Sequence, residues 1–123
     1  MAAPIYRYPF TGDGVAIAAS VVAPASQEYR VISVTLNLDA ANAVSELFTI
    51  THNAMEGPIY DVLLYAVDLS VGATVHLVWQ PERDYYIKGG DSLDIAWPNG
   101  AGQGVTEWGL LVTLQGVGYA SGA

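Results

Sequence analysis

Alternating apolar and polar residues over 29–38 restrict the fold of this chain more than any other feature. The apolar set is Ile32, Val34, Leu36 and Leu38, and the intervening polar set is Ser33, Thr35 and Asn37. Successive side chains of a β-strand point to opposite faces of the sheet. This period of two therefore predicts a strand with one face in the core and the other in solvent.

A β-strand composition continues along the whole chain. Val, Ile, Leu, Thr and Tyr dominate between short groups of Gly, Pro, Asn and Asp, a pattern typical of strands separated by turns. We predict about eight strands, from the segments 15–23, 29–38, 46–52, 59–69, 73–79, 85–87, 92–97 and 105–117, with 5–10 as an extended arm or edge strand. Segment 59–69 is apolar on both faces, which predicts a central strand. Only 39–45 has mild helical character, enough for one turn.

The connections predict how the strands are arranged. Regularly spaced strands indicate a sandwich or a barrel, and no pair is joined by a two-residue Asn-Gly or Asp-Gly hairpin. Mostly longer loops favour Greek-key crossings, so we predict an all-β, antiparallel β-sandwich that is jelly-roll-like. The expected organisation is an extended N-terminal arm over 1–14, a β-sandwich domain over 15–117 and a C-terminal tail over 118–123. Pro4 and Pro9 restrict the arm to an extended or edge-strand position.

Charge excludes some partners and favours others. The chain has 12 acidic and 4 basic residues, a net charge of −8, so it lacks the basic footprint needed to bind nucleic acid or an anionic membrane. The apolar run 15–25 is too short to span a bilayer, which takes about 20 residues. Only 13% of residues are charged and 52% are hydrophobic. Ordinary soluble domains are roughly 25% charged, so we expect exposed apolar patches of the kind that mark interaction surfaces.

No catalytic motif stands out. His52 and His76 are predicted to face solvent or an interface, and no Gly-x-Ser-x-Gly elbow accompanies them. The carboxylates that could in principle form a glycosidase pair have no selecting pattern: Glu46, Asp61, Asp68 and Glu107. The chain lacks cysteine, and its histidines do not form a metal-binding pair. We therefore expect no enzyme activity, cofactor or metal site, and we interpret Asp91, after Gly89 and Gly90, as a turn-shaping residue.

The aromatic residues are the remaining indication of function. Trp79, Trp97 and Trp108 fall on the apolar sides of their strands, so core packing is expected. Tyrosine is a favoured interface residue because its rigid ring covers area at little entropic cost. The predicted partner-binding residues are Ile5, Tyr6, Tyr8, Phe10, Tyr85 and Tyr86; the alternative is that these tyrosines are ordinary surface residues.

Four short motifs follow one another in the second half of the chain. They are Tyr60-Asp-x-x-Leu64, Trp79-x-Pro81, Gly90-Asp-x-Leu-x-Ile-x-Trp-x-Asn99 and Trp108-Gly-Leu110. In this order they resemble small jelly-roll β-sandwich proteins of tailed bacteriophage virions, of the capsid decoration or cement type. The resemblance covers about residues 29–115.

The resemblance implies a function. Such a protein binds the outer capsid surface as a homo-oligomer, often a homotrimer, contacts the major capsid protein and stabilises the shell. Its location would be the capsid surface of a virion, with residues 1–14 as the clamp. Two alternatives stay open: a lectin-like or receptor-binding jelly-roll module, and a small hydrolase on a sandwich scaffold.

Overall fold

The computed structural model describes residues 4–40, 44–70, 75–100, 105 and 107–118. Within these ranges the chain is built from β-strands, and its one helical element is a 3-10 turn at Pro58–Tyr60. The strands are Ile5–Asp13 (β1), Ile17–Val22 (β2), Gln27–Leu38 (β3), Leu47–Asn53 (β4), Val62–Asp68 (β5), His76–Trp79 (β6), Tyr86–Ile87 (β7), Ser92–Trp97 (β8) and Glu107–Gly118 (β9).

Two antiparallel sheets pack face to face as a sandwich. One has the order β1-β9-β3-β6, with β7 also paired to β3, and the other has the order β2-β8-β4-β5. We call them sheet A and sheet B. Most connections cross from one sheet to the other, and only β4 and β5 are consecutive neighbours in sheet B. This order is jelly-roll-like, so the predicted fold class is confirmed.

β6 and β7 occupy a single place beside β3. β6 pairs with Val34–Asn37 and β7 pairs with Tyr29–Arg30, so the two short strands line up along the same neighbour. The nine observed strands thus fill eight positions, which agrees with the predicted number. Of the predicted helical turn over 39–45, residues 41–43 lie outside the described part of the chain. Residues 119–123 of the predicted tail do as well.

A β-bulge in β3 changes which residues enter the core. In the pairing with β9, Val31 lies opposite Leu114 while Ser33 lies opposite Thr113, so Ile32 is an extra residue. Val31, before the bulge, and Val34, after it, are both buried, each with 1% exposure. The prediction that Ile32 shares a face with Val34 is wrong, because a single inserted residue reverses the alternation.

The segment predicted as a central strand lies at an edge. β5 pairs only with β4 among the described residues and ends sheet B. Its first two residues, Val62 and Leu63, are exposed, and the preceding residues form the 3-10 turn instead of strand. The apolar character of both faces therefore does not come from burial on both sides. It leaves apolar side chains in solvent at the end of the sheet.

The core lies between the two sheets. Fully buried side chains from both sheets interdigitate there, led by Trp97, Phe48, Ile17, Leu36, Ile50, Leu93, Ile95 and Leu114. Burying one such side chain contributes about 1.5–3 kcal/mol. Trp97 and Trp108 are buried as predicted, whereas Trp79 is half-buried and packs against Tyr65 with ring centroids 6.1 Å apart.

Candidate contact surfaces and a buried histidine network

The predicted contact residues of the N-terminal segment lie in a strand of sheet A. β1 pairs with β9 along its full length, from Ile5 opposite Gln115 to Asp13 opposite Glu107. The edge-strand position that Pro4 and Pro9 indicated is what the structure shows. Alternation along β1 turns Tyr6, Tyr8 and Phe10 towards the core, where they are half-buried, and leaves Ile5 exposed.

The inward-facing tyrosines form a cluster with Tyr29 of β3. Tyr6 and Tyr29 have ring centroids 5.5 Å apart, and the hydroxyls of Tyr8 and Tyr29 are hydrogen-bonded at 2.8 Å. Burial, followed by the hydrogen bond and the neighbouring charge of Tyr8, raises the pKa of Tyr29 well above its ordinary value. The cluster attaches β1 to the body of the sandwich across β9.

Two of the predicted contact residues face outward on sheet A. Ile5 and Tyr86 belong to one cross-strand row, Ile5–Gln115–Arg30–Tyr86, and both are exposed. The side chains of Arg30 and Gln115 are hydrogen-bonded at 2.8 Å in the middle of that row. The structure therefore brings Ile5 and Tyr86 to one face and directs Tyr6, Tyr8, Phe10 and Tyr85 away from it.

His52 lies inside the sandwich, in contrast to its predicted position in solvent or at an interface. Its side chain is 13% exposed, with Nε2 2.7 Å from Oδ2 of Asp91 and Nδ1 2.7 Å from the Tyr85 hydroxyl. The alternation of β4 contained the missed signal, because His52 follows the buried Phe48 and Ile50 at a spacing of two. His76 is exposed as predicted and contacts Asn37.

Asp91 connects three parts of the chain to one another. It is 3% exposed, and its Oδ1 accepts the backbone N–H of Met55 at 2.9 Å while its Oδ2 contacts His52. Its own backbone closes a turn with Lys88 and pairs with Ala23. The predicted turn role of Asp91 is confirmed, and the structure adds that its carboxylate holds the turn after β4 against the turn before β8.

The ionisation of this network follows from its surroundings. Burial by itself would raise the pKa of Asp91, but the Met55 N–H, the contact with His52 and the charge of Lys88 together lower it below its usual value. Burial, with the nearby charge of Asp91, raises the pKa of Tyr85. An ionised Asp91 only accepts hydrogen bonds, so His52 donates from Nε2 and a neutral His52 accepts the Tyr85 hydroxyl at Nδ1. The three side chains form a directed chain of hydrogen bonds.

An apolar surface surrounds the turn between β4 and β5. Of the 13 large hydrophobic residues that are exposed in the described part of the chain, five fall within residues 55–63. We call these five the 55–63 patch: Met55 (66% exposed), Ile59 (86%), Tyr60 (61%), Val62 (43%) and Leu63 (60%). The other eight are distributed over the rest of the surface. The sequence predicted exposed apolar patches from composition but did not locate this one.

A groove opens between the edges of the two sheets. It has a volume of about 530 Å³ and is lined by Leu64, by the stacked Tyr65 and Trp79, by Tyr85 and by the mostly polar residues 80–84. These residues include positive and negative side chains, since Arg83 lies between Glu82 and Asp84. Aromatic rings with polar groups around them form an amphipathic surface.

Most of the carboxylates considered for catalysis hold backbone or hydroxyl groups in place. Glu46 accepts the N–H of Gly100 at 2.9 Å, and Asp61 accepts that of Ala54 at 2.8 Å. Asp68 accepts hydrogen bonds from Ser45 and Ser70, which lower its pKa. These contacts give each carboxylate a structural role. Among the described residues no group of three or more His, Asp or Glu is suited to hold a metal ion.

Comparison with known proteins does not narrow the function further. No model of a known protein family and no curated protein matches this sequence. Within the described ranges, none of the helical structure is long and apolar enough to cross a membrane.

Proposed function

We propose that this chain is a non-enzymatic structural protein of a virion. In this proposal it binds the outer surface of the capsid, contacts the major capsid protein and copies of itself, and stabilises the shell. The jelly-roll-like strand order supports the proposal, as does the resemblance of residues 29–115 to phage decoration proteins. A low charged fraction of 13% is also in keeping with a protein that works by assembly.

The 55–63 patch is the observation on which the proposal depends. Large apolar side chains that stay in solvent on a folded domain are costly unless a partner covers them. Here five of them fall within residues 55–63, in the turn between β4 and β5 and in the first two residues of β5 at the edge of sheet B. A decoration protein needs a surface of this kind, because it must hold to its neighbours on the shell, including copies of itself, without covalent bonds.

Immunogold electron microscopy tests the location. An antibody raised against the purified chain is applied to particles assembled from the genome that encodes it. Gold over the shell is the expected result, and particles that lack the chain should release their genome at a lower temperature. Particles without gold would contradict the proposal, and gold confined to the tail would favour the alternative below.

A lectin-like or receptor-binding module is the second candidate, and the groove beside Tyr65 and Trp79 favours it. Stacked aromatic side chains with polar groups at their border are suited to the apolar face and hydroxyls of a sugar. Trp97 cannot stack against a sugar, because it is only 1% exposed. A glycan array with the parent chain and Trp79→Ala tests this candidate, which requires a saccharide signal that the substitution removes.

A further inference from the structure

The 55–63 patch has the size of a substantial part of a protein–protein interface. At the exposed fractions given above, its five residues together present on the order of 600 Å² to solvent, with Val62 and Leu63 on opposite faces of β5, against roughly 800 Å² per partner in a standard interface. The largest apolar patch on a typical monomer is about 300–600 Å². The neighbouring backbone and half-buried side chains of β5 can supply the remaining area.

The patch lies at a sheet edge that is weakly protected against association. β5 contains no proline, lysine or arginine, and its one charged residue, Asp68, is at its end. The opposite edge of sheet A carries Pro9 and the exposed Arg7, and β6 has only four residues. Charge, proline and short length are the devices by which edge strands avoid pairing. β5 has a bulge, since Leu64 is the extra residue between Leu63 and Tyr65, but its first residues stay apolar and open.

Charge affects how a second copy can approach the patch. The chain carries a net charge of −8, so two copies repel each other over most of their surfaces. In the patch segment, Lys88 balances the charge of Glu56, whereas the Asp61 carboxylate keeps its negative charge and accepts the N–H of Ala54. Most of the repulsion between two copies therefore comes from the rest of their surfaces. A second copy also brings an apolar surface of the same size.

We infer that two copies of this chain associate through the 55–63 patch about a two-fold axis. The same surface is used on both copies, as in any closed two-fold contact. This inference deepens the proposed function, since it names the surface by which copies assemble. It replaces the homotrimer implied by the family resemblance with a dimer.

Light scattering coupled to size-exclusion chromatography, over concentrations up to about 100 µM, tests the inference on the full chain. The expected mass is twice the 13.0 kDa of the chain. Ile59→Glu places a charge at the most exposed patch residue and should raise the dimer dissociation constant at least about tenfold. Val22→Glu is the matched control: Val22 is 59% exposed on the opposite edge of sheet B, and the dissociation constant should not change. Circular dichroism and thermal melting verify that both variants are folded.

Each other outcome overturns the inference. A parent chain that stays monomeric has no self-association, and a trimer excludes a two-fold contact. A dimer that Ile59→Glu does not weaken uses a different surface. The outcomes are independent of the immunogold experiment: a monomer that labels the shell would overturn this contact and leave the decoration function standing. A dimer that does not label the shell would support this contact and contradict the decoration function.

Discussion

The carboxylate of Asp91 and the imidazole of His52 are in direct contact, 2.7 Å apart, although the two residues are 39 positions apart in the chain. The hydrogen bond joins the end of β4 to the start of β8 in the interior of sheet B. Tyr85 extends the chain of contacts to sheet A, because its backbone carbonyl accepts the N–H of Val31 in β3 at 2.8 Å. The three side chains thus form a polar connection between the two sheets at one end of the sandwich.

Removal of the Asp91 carboxylate should destabilise the fold. Asp91→Ala leaves the Met55 N–H and the Nε2–H of His52 without an acceptor, and each unsatisfied buried donor costs about 1–3 kcal/mol. We expect the free energy of unfolding, measured with urea, to fall by about 2–4 kcal/mol. Asp84→Ala is the matched control, since Asp84 is 70% exposed and its contact with Arg30 is 3.6 Å; its effect should stay below about 1 kcal/mol. Equal losses in the two variants would contradict the role of Asp91.

Acid should weaken the same network. The folded-state pKa of Asp91 lies below the unfolded value of about 3.9, so its contribution to stability is present above about pH 4. That contribution is lost as the pH falls through the folded-state pKa. Urea unfolding of the parent chain and Asp91→Asn between about pH 2 and 7 measures it, and the difference between them should shrink towards low pH. A difference that stays constant over this range would assign the pH dependence to other carboxylates.

Asp91 should determine the tautomer of His52, and Tyr85 should add a hydrogen bond to it. With Asp91 ionised, neutral His52 carries its proton on Nε2 and accepts the Tyr85 hydroxyl at Nδ1. Nitrogen-15 NMR of the neutral imidazole should show the Nε2–H form in the parent chain. Tyr85→Phe should keep that tautomer, shift the Nδ1 resonance and lower the free energy of unfolding by about 1–2 kcal/mol. An Nδ1–H form in the parent chain would contradict the direction of the hydrogen bonds.

Tyr29 and Tyr85 should ionise late. Burial raises the pKa of both, so these two hydroxyls should ionise only above the ordinary value of about 10. The unfolded chain releases these protons first, so stability should fall as the pH rises above about 10. Absorbance at 295 nm against pH measures the delayed ionisation. Tyr8→Phe removes the hydrogen bond to Tyr29 and should move part of the delayed absorbance to lower pH. A single transition near pH 10 from a folded chain would contradict the burial of these hydroxyls.

Gly89 should not tolerate a side chain. A Cβ placed there would lie 2.6 Å from the carbonyl oxygen of Ala25 and 2.7 Å from that of Pro24, and backbone atoms cannot move aside easily. We expect Gly89→Ala to lower the free energy of unfolding by about 1–3 kcal/mol through this overlap. Gly109→Ala in β9 is the control, because open space surrounds its Cβ position, and its effect should be close to zero. Urea unfolding compares the two, and a tolerated Gly89→Ala would mean that the two turns are not packed as described.

The alternation of local residues was enough to predict the all-β class, most strand positions and the burial of Trp97 and Trp108. Side-chain direction in a strand depends only on the neighbouring residues, so the sequence carries this information without any partner strand. Trp108 therefore has a predictable environment, and so do Leu110 and Val112 beyond it. Pro4 and Pro9 also predict the extended segment that contains Tyr6 and Tyr8, because proline is excluded from the interior of a sheet.

Only the tertiary structure decided the features that depend on which strands meet. The bulge at Ile32 arises from the register between β3 and β9, and the edge position of β5 arises from the order of sheet B. The contact of His52 with Asp91 depends on the pairing of β4 with β8, in which His52 lies opposite Leu93. An apolar segment such as 59–69 has the same composition in a central strand and at an unpaired edge, because composition does not record the neighbours. The sequence by itself therefore determined that apolar surface would be left in solvent, and the pairing of distant strands determined that it would lie at residues 55–63.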